Sequence, residues 1–298
     1  MLGYGLLGTQ GVVESKQLGN TDVVVPEIGL GTYAFTGTAE TIRMAVELGA
    51  ALVDTAELYG TEDIVGRGVK EVRRRCFIAT KTNHWRYHDV LRAADESLRR
   101  LGVDVIDLYQ VHWPNAAVPV AETMAAMERL VDLGKVRFIG VSNFSVQDLK
   151  EAQAAMSKYR IVSDQVRYNL VDRDVESAIL PYCQKFQITV IAYSPLAKGL
   201  RSIFCADPCL VLDRLARRAG RTSGQVALNW CVSKPGVIAI PKANSAEHVV
   251  ENCEASGWAL TCDELKELDA KIKHRRRSRL VASIRRRVRR AVQMTRSA

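Results

Sequence analysis

Short apolar, β-branched runs alternate along this chain with amphipathic stretches of helical period. PEIGLGTY precedes TAETIRMAVELG, ALVDTA precedes TEDIVGRGVKEVRR, CFIATKT precedes HDVLRAADESLRRLG, and VIDLYQVHW precedes PVAETMAAMERLVDLG. VRFIGVSN then precedes SVQDLKEAQAAMSK, and IVSDQVRYN precedes DVESAILPYCQKFQ. ITVIAYSP leads through a longer loop to PCLVLDRLARRAG and SGQVALNWCVS, and VIAIPKA precedes SAEHVVENCEAS. Strands that are apolar throughout, not alternating, are buried on both faces, which implies a parallel sheet. Gly49, Gly102, Gly134 and Gly220 stand just past periodic segments, where helices end. Eight such strand–helix units predict an α/β fold closed as a (β/α)8 TIM barrel; an open doubly wound sheet is the structural alternative. KQLGNTDVVVPEI reads as an N-terminal β-hairpin turning at Asn20–Asp22, placed to plug the lower end of the barrel. TCDELKELDAKI reads as an additional C-terminal helix.

Barrels of this kind carry their chemistry at the C-terminal strand ends. The polar residues there are Asp54, Lys81, His112, Ser142, Asn143, Gln165, Tyr193, Ser194 and Lys242, with Tyr59 in the loop after Asp54. Each has a plain structural explanation. Asp54 caps a helix, Lys81 is a solvated strand end, and His112 beside Trp113 is a core histidine. Convergence on one rim argues otherwise, because buried charges need partners. A phenol titrates near pH ~10, and an adjacent ammonium lowers that value. An aspartate fixes the ammonium, and a neutral imidazole orients a carbonyl. The set suits proton donation to an oxygen on which negative charge develops. No nucleophile–base pair is evident, and a hydride from a bound cofactor completes the scheme.

IGLGTY, VDTAELYG, FIATKT, DLYQVHWP, GVSNF, QVRYN, AYSPL and IPKA resemble, in order, motifs of the aldo-keto reductase superfamily. The resemblance runs from about Lys16 to Lys271. It implies a prokaryotic-type reductase of aldehydes and ketones that uses NADPH. By motif match Tyr59 is the general acid, Lys81 and Asp54 tune it, and His112 orients the carbonyl. Ser142, Asn143 and Gln165 hold the nicotinamide carboxamide, and Tyr193 stacks on the ring. Ser194 and Leu196 follow the pyrophosphate, Lys242 meets the 2′-phosphate, and Asn244, Glu251 and Asn252 lie near the adenosine. Gly31 and Thr32 join the cofactor-binding set, and Tyr33, Trp85 and Trp113 the substrate pocket. The tryptophans either line that pocket or simply pack. Where many relatives have an arginine six residues after the IPK lysine, this chain has His248, and Ala243 replaces a common serine. Fewer cations then face a 2′-phosphate, so NADH stands as the alternative cofactor. Set against that family, the stretches after His112 and Tyr193 are short, which implies an open, tolerant pocket.

Composition narrows the remaining choices. No apolar run reaches the ~18 residues that span a bilayer, and the N-terminus does not read as a signal peptide. The seven cysteines have no CxxC spacing, which suits reduced thiols and a cytoplasmic location; Cys205 and Cys209 are the pair that oxidation would join. The net charge of +9 sits in one tail: residues 271–298 hold twelve Lys/Arg and no acid, leaving 30 basic against 33 acidic residues elsewhere. The reading divides the chain into a mobile N-terminus (1–15), a barrel (16–272) and a basic extension (273–298). In the extension Leu280, Ile284, Val288 and Val292 repeat every fourth residue. An amphipathic basic helix of this kind binds anionic membrane or nucleic acid; a solvated extension, or a helix docked on the barrel, is the plainer reading. GYGLLG at 3–8 matches a dinucleotide fingerprint but has no strand before it. His84 and His88 lack a third ligand, so no metal is expected. Two other functions compete: a nicotinamide-binding redox sensor, tethered by the tail and turning over little, and a barrel isomerase or lyase without nicotinamide. The sequence leaves the oligomeric state open.

Overall fold

The computed structural model describes residues 13–275. The run at 3–8 and most of the basic extension therefore lie outside the described residues. A hairpin of β1 (Ser15–Gln17) and β2 (Val24–Pro26) comes first, with Leu18 N–H donating to Val23 O at 2.8 Å across the expected turn. The barrel strands follow as β3 (Leu30–Gly31), β4 (Leu52–Asp54), β5 (Phe77–Thr82), β6 (Ile106–Val111), β7 (Val136–Ser142), β8 (Ile161–Arg167), β9 (Thr189–Tyr193) and β10 (Val237–Ile240). All eight pair in parallel and in sequence order. The seam between first and last strands is closed by backbone. Gly29 N–H donates to Ala239 O at 2.8 Å, Ala239 N–H to Glu27 O at 2.8 Å, and Gly31 N–H to Pro241 O at 3.0 Å. At Gly31 a Cβ would stand 2.7 Å from Ile240 O, so the seam excludes a side chain there.

The outer layer consists of α1 (Ala39–Glu47), α2 (Glu62–Val69), α3 (Tyr87–Leu101), α4 (Val120–Asp132), α5 (Val146–Ala154), α6 (Ile179–Lys185), α7 (Arg201–Phe204), α8 (Val211–Ala219), α9 (Ser223–Val232), α10 (Ala246–Cys253) and α11 (Cys262–Lys271). Side chains of the strands and hairpin fill the barrel: Leu18 and Val25 of the hairpin pack with Leu52, Ala79, Leu108, Ile191 and Ile238. The hairpin thus plugs the end opposite the polar strand ends, and each such buried aliphatic contributes about 1.5–3 kcal/mol. The C-terminal helix α11 docks through Asp269, which accepts from Trp230 Nε1 at 2.8 Å and pairs with Arg173 at 3.1 Å and Lys234 at 3.2 Å.

Both ends of the described range contact the barrel. Residues 13–15 are held in the fold: Val13 is buried, Glu14 N–H donates to Ser256 Oγ at 2.9 Å, and Ser15 opens β1. At the other end Lys273 N–H donates to Ala206 O at 2.8 Å and Arg275 N–H to Val171 O at 2.7 Å, so the extension begins against the barrel. The cysteines within the described residues are all free, including exposed Cys205 and Cys209.

One buried group opposes stability. Asp164, in the middle of β8, is fully buried, and neither carboxyl oxygen has a hydrogen-bond partner among the described residues. Burial pushes its pKa well above the ordinary carboxylate value; the nearby Phe144 N–H lowers it less, and Asp148 raises it. The folded chain therefore holds this proton to higher pH than the unfolded chain does, so the penalty grows as pH rises above the unfolded value of ~4. Asp164→Asn is expected to raise Tm at pH 7, each 1 kcal/mol giving about 2–4 °C. The gain should shrink toward pH ~4. Thermal melts of both chains across that range check it; a lower Tm for the variant at neutral pH would contradict it.

Candidate active site

The polar strand ends converge. Asp54 closes β4, Lys81 lies near the end of β5, and His112 directly follows β6. The backbone then turns through Glu57–Tyr59, a single 3-10 turn whose Tyr59 N–H donates to Ala56 O at 3.0 Å. Gly60 ends this turn at φ 65°, a left-handed conformation that glycine takes without strain. Below it runs a chain of hydroxyls: Thr32 Oγ1 is 3.0 Å from Thr61 Oγ1, which is 2.8 Å from Thr55 Oγ1. These three buried threonines tie β3, β4 and the start of α2 beneath the turn that carries Tyr59.

Lys81 has no solvent exposure. Its Nζ donates to Asp54 Oδ1 at 2.6 Å and Thr55 O at 2.7 Å, and lies 4.8 Å from the centre of the Tyr59 ring. The other Asp54 oxygen accepts from Gln165 Nε2 at 2.7 Å and Gln110 Nε2 at 3.4 Å. His112 stands edge-on to Tyr59, ring centroids 5.6 Å apart, and Tyr33 packs on Tyr59 at 5.2 Å. Trp113 stacks on His112 at 6.1 Å, and Trp85 Nε1 donates to Trp113 O at 2.8 Å.

The protonation states follow from burial and charge. Burial pushes the Lys81 ammonium down, but attraction to Asp54 and then to Tyr59 prevails, so it stays charged with its pKa raised. Burial, and then the Lys81 charge, pull His112 down to about 3, leaving a neutral imidazole at physiological pH. The phenol differs from the sequence expectation. Lys81 does pull the Tyr59 pKa down, yet burial outweighs it and the net shift is upward. The phenol is held protonated, with a cation ready to stabilise the charge left by proton release.

Asp54, Tyr59 and His112 line a cavity of about 1360 Å³, with Lys81 sealed behind them. Its wall includes Gly31, Tyr33, Trp85, Trp113, Ser142, Asn143, Gln165, Tyr193, Ser194, Leu196, Lys242 and Asn244. Asn143, at φ 63°, donates to His112 O at 3.2 Å and accepts from the Tyr193 hydroxyl at 3.0 Å, which fixes that aromatic ring. Lys242 Nζ donates to Ala34 O at 2.9 Å. Three of the residues expected at the cofactor do not line this cavity. Thr32 is sealed under the floor, its hydroxyl donating to Asp54 O at 3.0 Å. Glu251 and Asn252 lie on α10, off this wall; Glu251 accepts from Thr222 Oγ1 at 2.6 Å and borders a shallow patch that shares His248 with the cavity. No cluster able to hold a metal occurs among the described residues, and His84 faces Glu57 at 3.9 Å instead. Arg167, at the end of β8, lines the cavity and was missed. Its only sequence signal was a cation among the polar strand ends, inside QVRYN.

The residues present fit a nicotinamide dinucleotide: the cavity exceeds an ordinary small-ligand site, holds one fixed aromatic face, and has on its wall a guanidinium whose Nε has no hydrogen-bond partner. The sequence profile of the aldo/keto reductase family matches residues 27–273. The chain belongs to that family, and is a nicotinamide-dependent oxidoreductase. It is 36% identical over 260 residues to the methylglyoxal reductase YeaE of Escherichia coli, covering 83% of this chain and 91% of that protein. The crystal structure of the thermostable aldo-keto reductase Tm1743 with the inhibitor epalrestat superposes with a TM-score of 0.80 at 39% identity, covering 86% of this chain and 99% of that one. An aldo-keto reductase from Klebsiella pneumoniae in complex with NADPH superposes with a TM-score of 0.82 at 35% identity, covering 89% and 97%.

Proposed function

We propose that this protein reduces small aldehydes and ketones to alcohols with NADPH, Tyr59 supplying the proton. The observation that carries the reading is the buried Lys81 ammonium, held 2.6 Å from Asp54 and 4.8 Å from the Tyr59 ring at the base of a large cavity. When bound, the dinucleotide supplies a hydride. Ser142, Asn143 and Gln165 present hydroxyl and amide groups for the carboxamide, with Gln165 Nε2 already committed to Asp54. Tyr193, pinned by Asn143, offers a flat face for the ring. Neutral His112 donates a hydrogen bond that holds the carbonyl oxygen toward the phenol. Tyr59 releases its proton to that oxygen, and Lys81 stabilises the phenolate left behind. Asp54 keeps Lys81 in place and limits its reach. Tyr33, Trp85 and Trp113 enclose the carbonyl carbon's substituents. The E. coli relative's name, methylglyoxal reductase, makes short 2-oxoaldehydes the first substrates to try.

Lys242 on the wall supplies one cation to favour a 2′-phosphate over an adenosine lacking one. The test is a spectrophotometric assay of NADPH and NADH consumption against a carbonyl panel. Consumption of NADPH at higher kcat/KM than NADH is expected; tight NADPH binding without turnover on any carbonyl would contradict the proposal and favour a cofactor sensor.

The pH profile has a definite sign. A general acid works only while protonated, and the Tyr59 pKa lies above the ordinary phenol value. Reduction is therefore expected to stay level through neutral pH and to fall only above pH ~10. His112 titrates at about 3, so no step should occur near the ordinary histidine value. A break in log kcat/KM between pH ~6 and ~7, where an unperturbed imidazole titrates, would assign the proton to another group.

A further inference from the structure

We propose that Arg167 is an oxyanion receptor in this cavity, and that the oxyanion it holds is the diphosphate of the dinucleotide. The inference rests on the cofactor reading above and adds a residue to it. Arg167 ends β8 and pairs in register with Tyr193, and its guanidinium carbon lies 5.7 Å from the centre of that ring. The side chain is partly buried and lines the cavity, and its Nε is shielded from water without a hydrogen-bond partner.

Other inward guanidinium groups in this molecule have an acid: Arg100 meets Glu62 at 2.7 Å, Arg173 meets Glu176 at 2.8 Å, and Arg73 meets Asp107 at 2.9 Å. No carboxylate comes within 4.0 Å of Arg167 among the described residues. The acids on the cavity wall are already engaged. Asp54 pairs with Lys81. Asp148 accepts from Ser145 N–H at 2.9 Å and Ser145 Oγ at 2.6 Å, and Glu151 accepts from Gln147 at 2.7 Å. The shielded Nε–H of this half-buried guanidinium has no acceptor in the protein, and a shielded donor left unmet is costly, so the acceptor comes from a ligand. The planar fork of arginine matches two oxygens of a phosphate or a carboxylate at once.

Position favours the diphosphate. In the strand order β8 stands two strands from β6, which leads into His112, and two from β10, which leads into Lys242. It stands three strands from β5, the strand before Trp85, while Arg167 pairs in register with Tyr193 and shares the cavity lining with Lys198 and Lys242. A substrate carboxylate is the other source of the same chemistry.

The test uses the full chain with Arg167→Met and Arg167→Lys. Three readouts separate the sources: NADPH affinity by fluorescence titration, the thermal shift produced by inorganic pyrophosphate, and kcat/KM at saturating NADPH for a neutral and a carboxylate-bearing benzaldehyde. Arg167→Met is expected to weaken NADPH and pyrophosphate binding by about tenfold or more, with Arg167→Lys between it and the parent. Arg167→Lys alone carries the test where the Met chain folds poorly, since it keeps the charge and loses the fork. Loss confined to the carboxylate-bearing aldehyde moves the oxyanion from cofactor to substrate and keeps the receptor. Parental values in all three readouts overturn the proposal. If the parent itself binds no NADPH, the cofactor reading fails, while the pyrophosphate shift still tests Arg167.

Discussion

Tyr59→Phe is expected to lower the turnover of a small aldehyde by about 10²- to 10⁴-fold, the usual worth of a positioned general acid, while NADPH affinity stays unchanged. The substitution removes one oxygen and leaves the ring. That ring keeps its edge contacts with Tyr33 and His112, at 5.2 and 5.6 Å, and its place beside Lys81. Asn143, Gln165 and Tyr193, the residues proposed to face the cofactor, are bonded to one another and to Asp54, not to Tyr59. A loss of turnover without a loss of binding therefore isolates the proton transfer. Fluorescence titration alongside steady-state rates separates the two.

Lys81→Met is expected to abolish turnover and to destabilise the fold by about 3–5 kcal/mol. The reason for the second effect is Asp54, which is buried and loses its cation, leaving only the amides of Gln165 and Gln110. The two effects can be pulled apart. Adding Asp54→Asn to Lys81→Met removes the orphaned charge, so most of the stability should return. Turnover should not return, because nothing then stabilises the phenolate. Denaturant melts and rates on the single and double variants check both halves. Recovery of activity in the double variant would show that Lys81 serves the fold alone.

The parts of this fold that the sequence discloses are those where one side of the physics dominates. Parallel strands buried on both faces must be apolar throughout, so eight such runs were visible, and Asp54, Lys81 and His112 stood out because each ends an apolar run in a charge or imidazole. The seam of the barrel was less visible: β3 has two residues, and backbone bonds around Gly29, Gly31 and Ala239 do the closing. Thr32 has the sequence surroundings of a cavity residue, yet its hydroxyl turns beneath the floor, which only the fold decides. The net shift of the phenol was hidden for a similar reason. Residue types give the sign of the Lys81 effect, but whether burial outweighs it depends on how deep the ring sits. Asp164 hid inside an apolar run, where a carboxylate reads as an exposed face rather than an unpartnered buried group.

The most direct measurement is the single-turnover rate of NADPH oxidation with methylglyoxal, enzyme in excess, for the parent chain and Tyr59→Phe at equal cofactor occupancy. The parent should consume its bound NADPH, and the variant should bind as much yet consume it at least about 10²-fold more slowly. Equal rates in the two chains would contradict the account, because the proton would then reach the carbonyl oxygen from somewhere other than Tyr59.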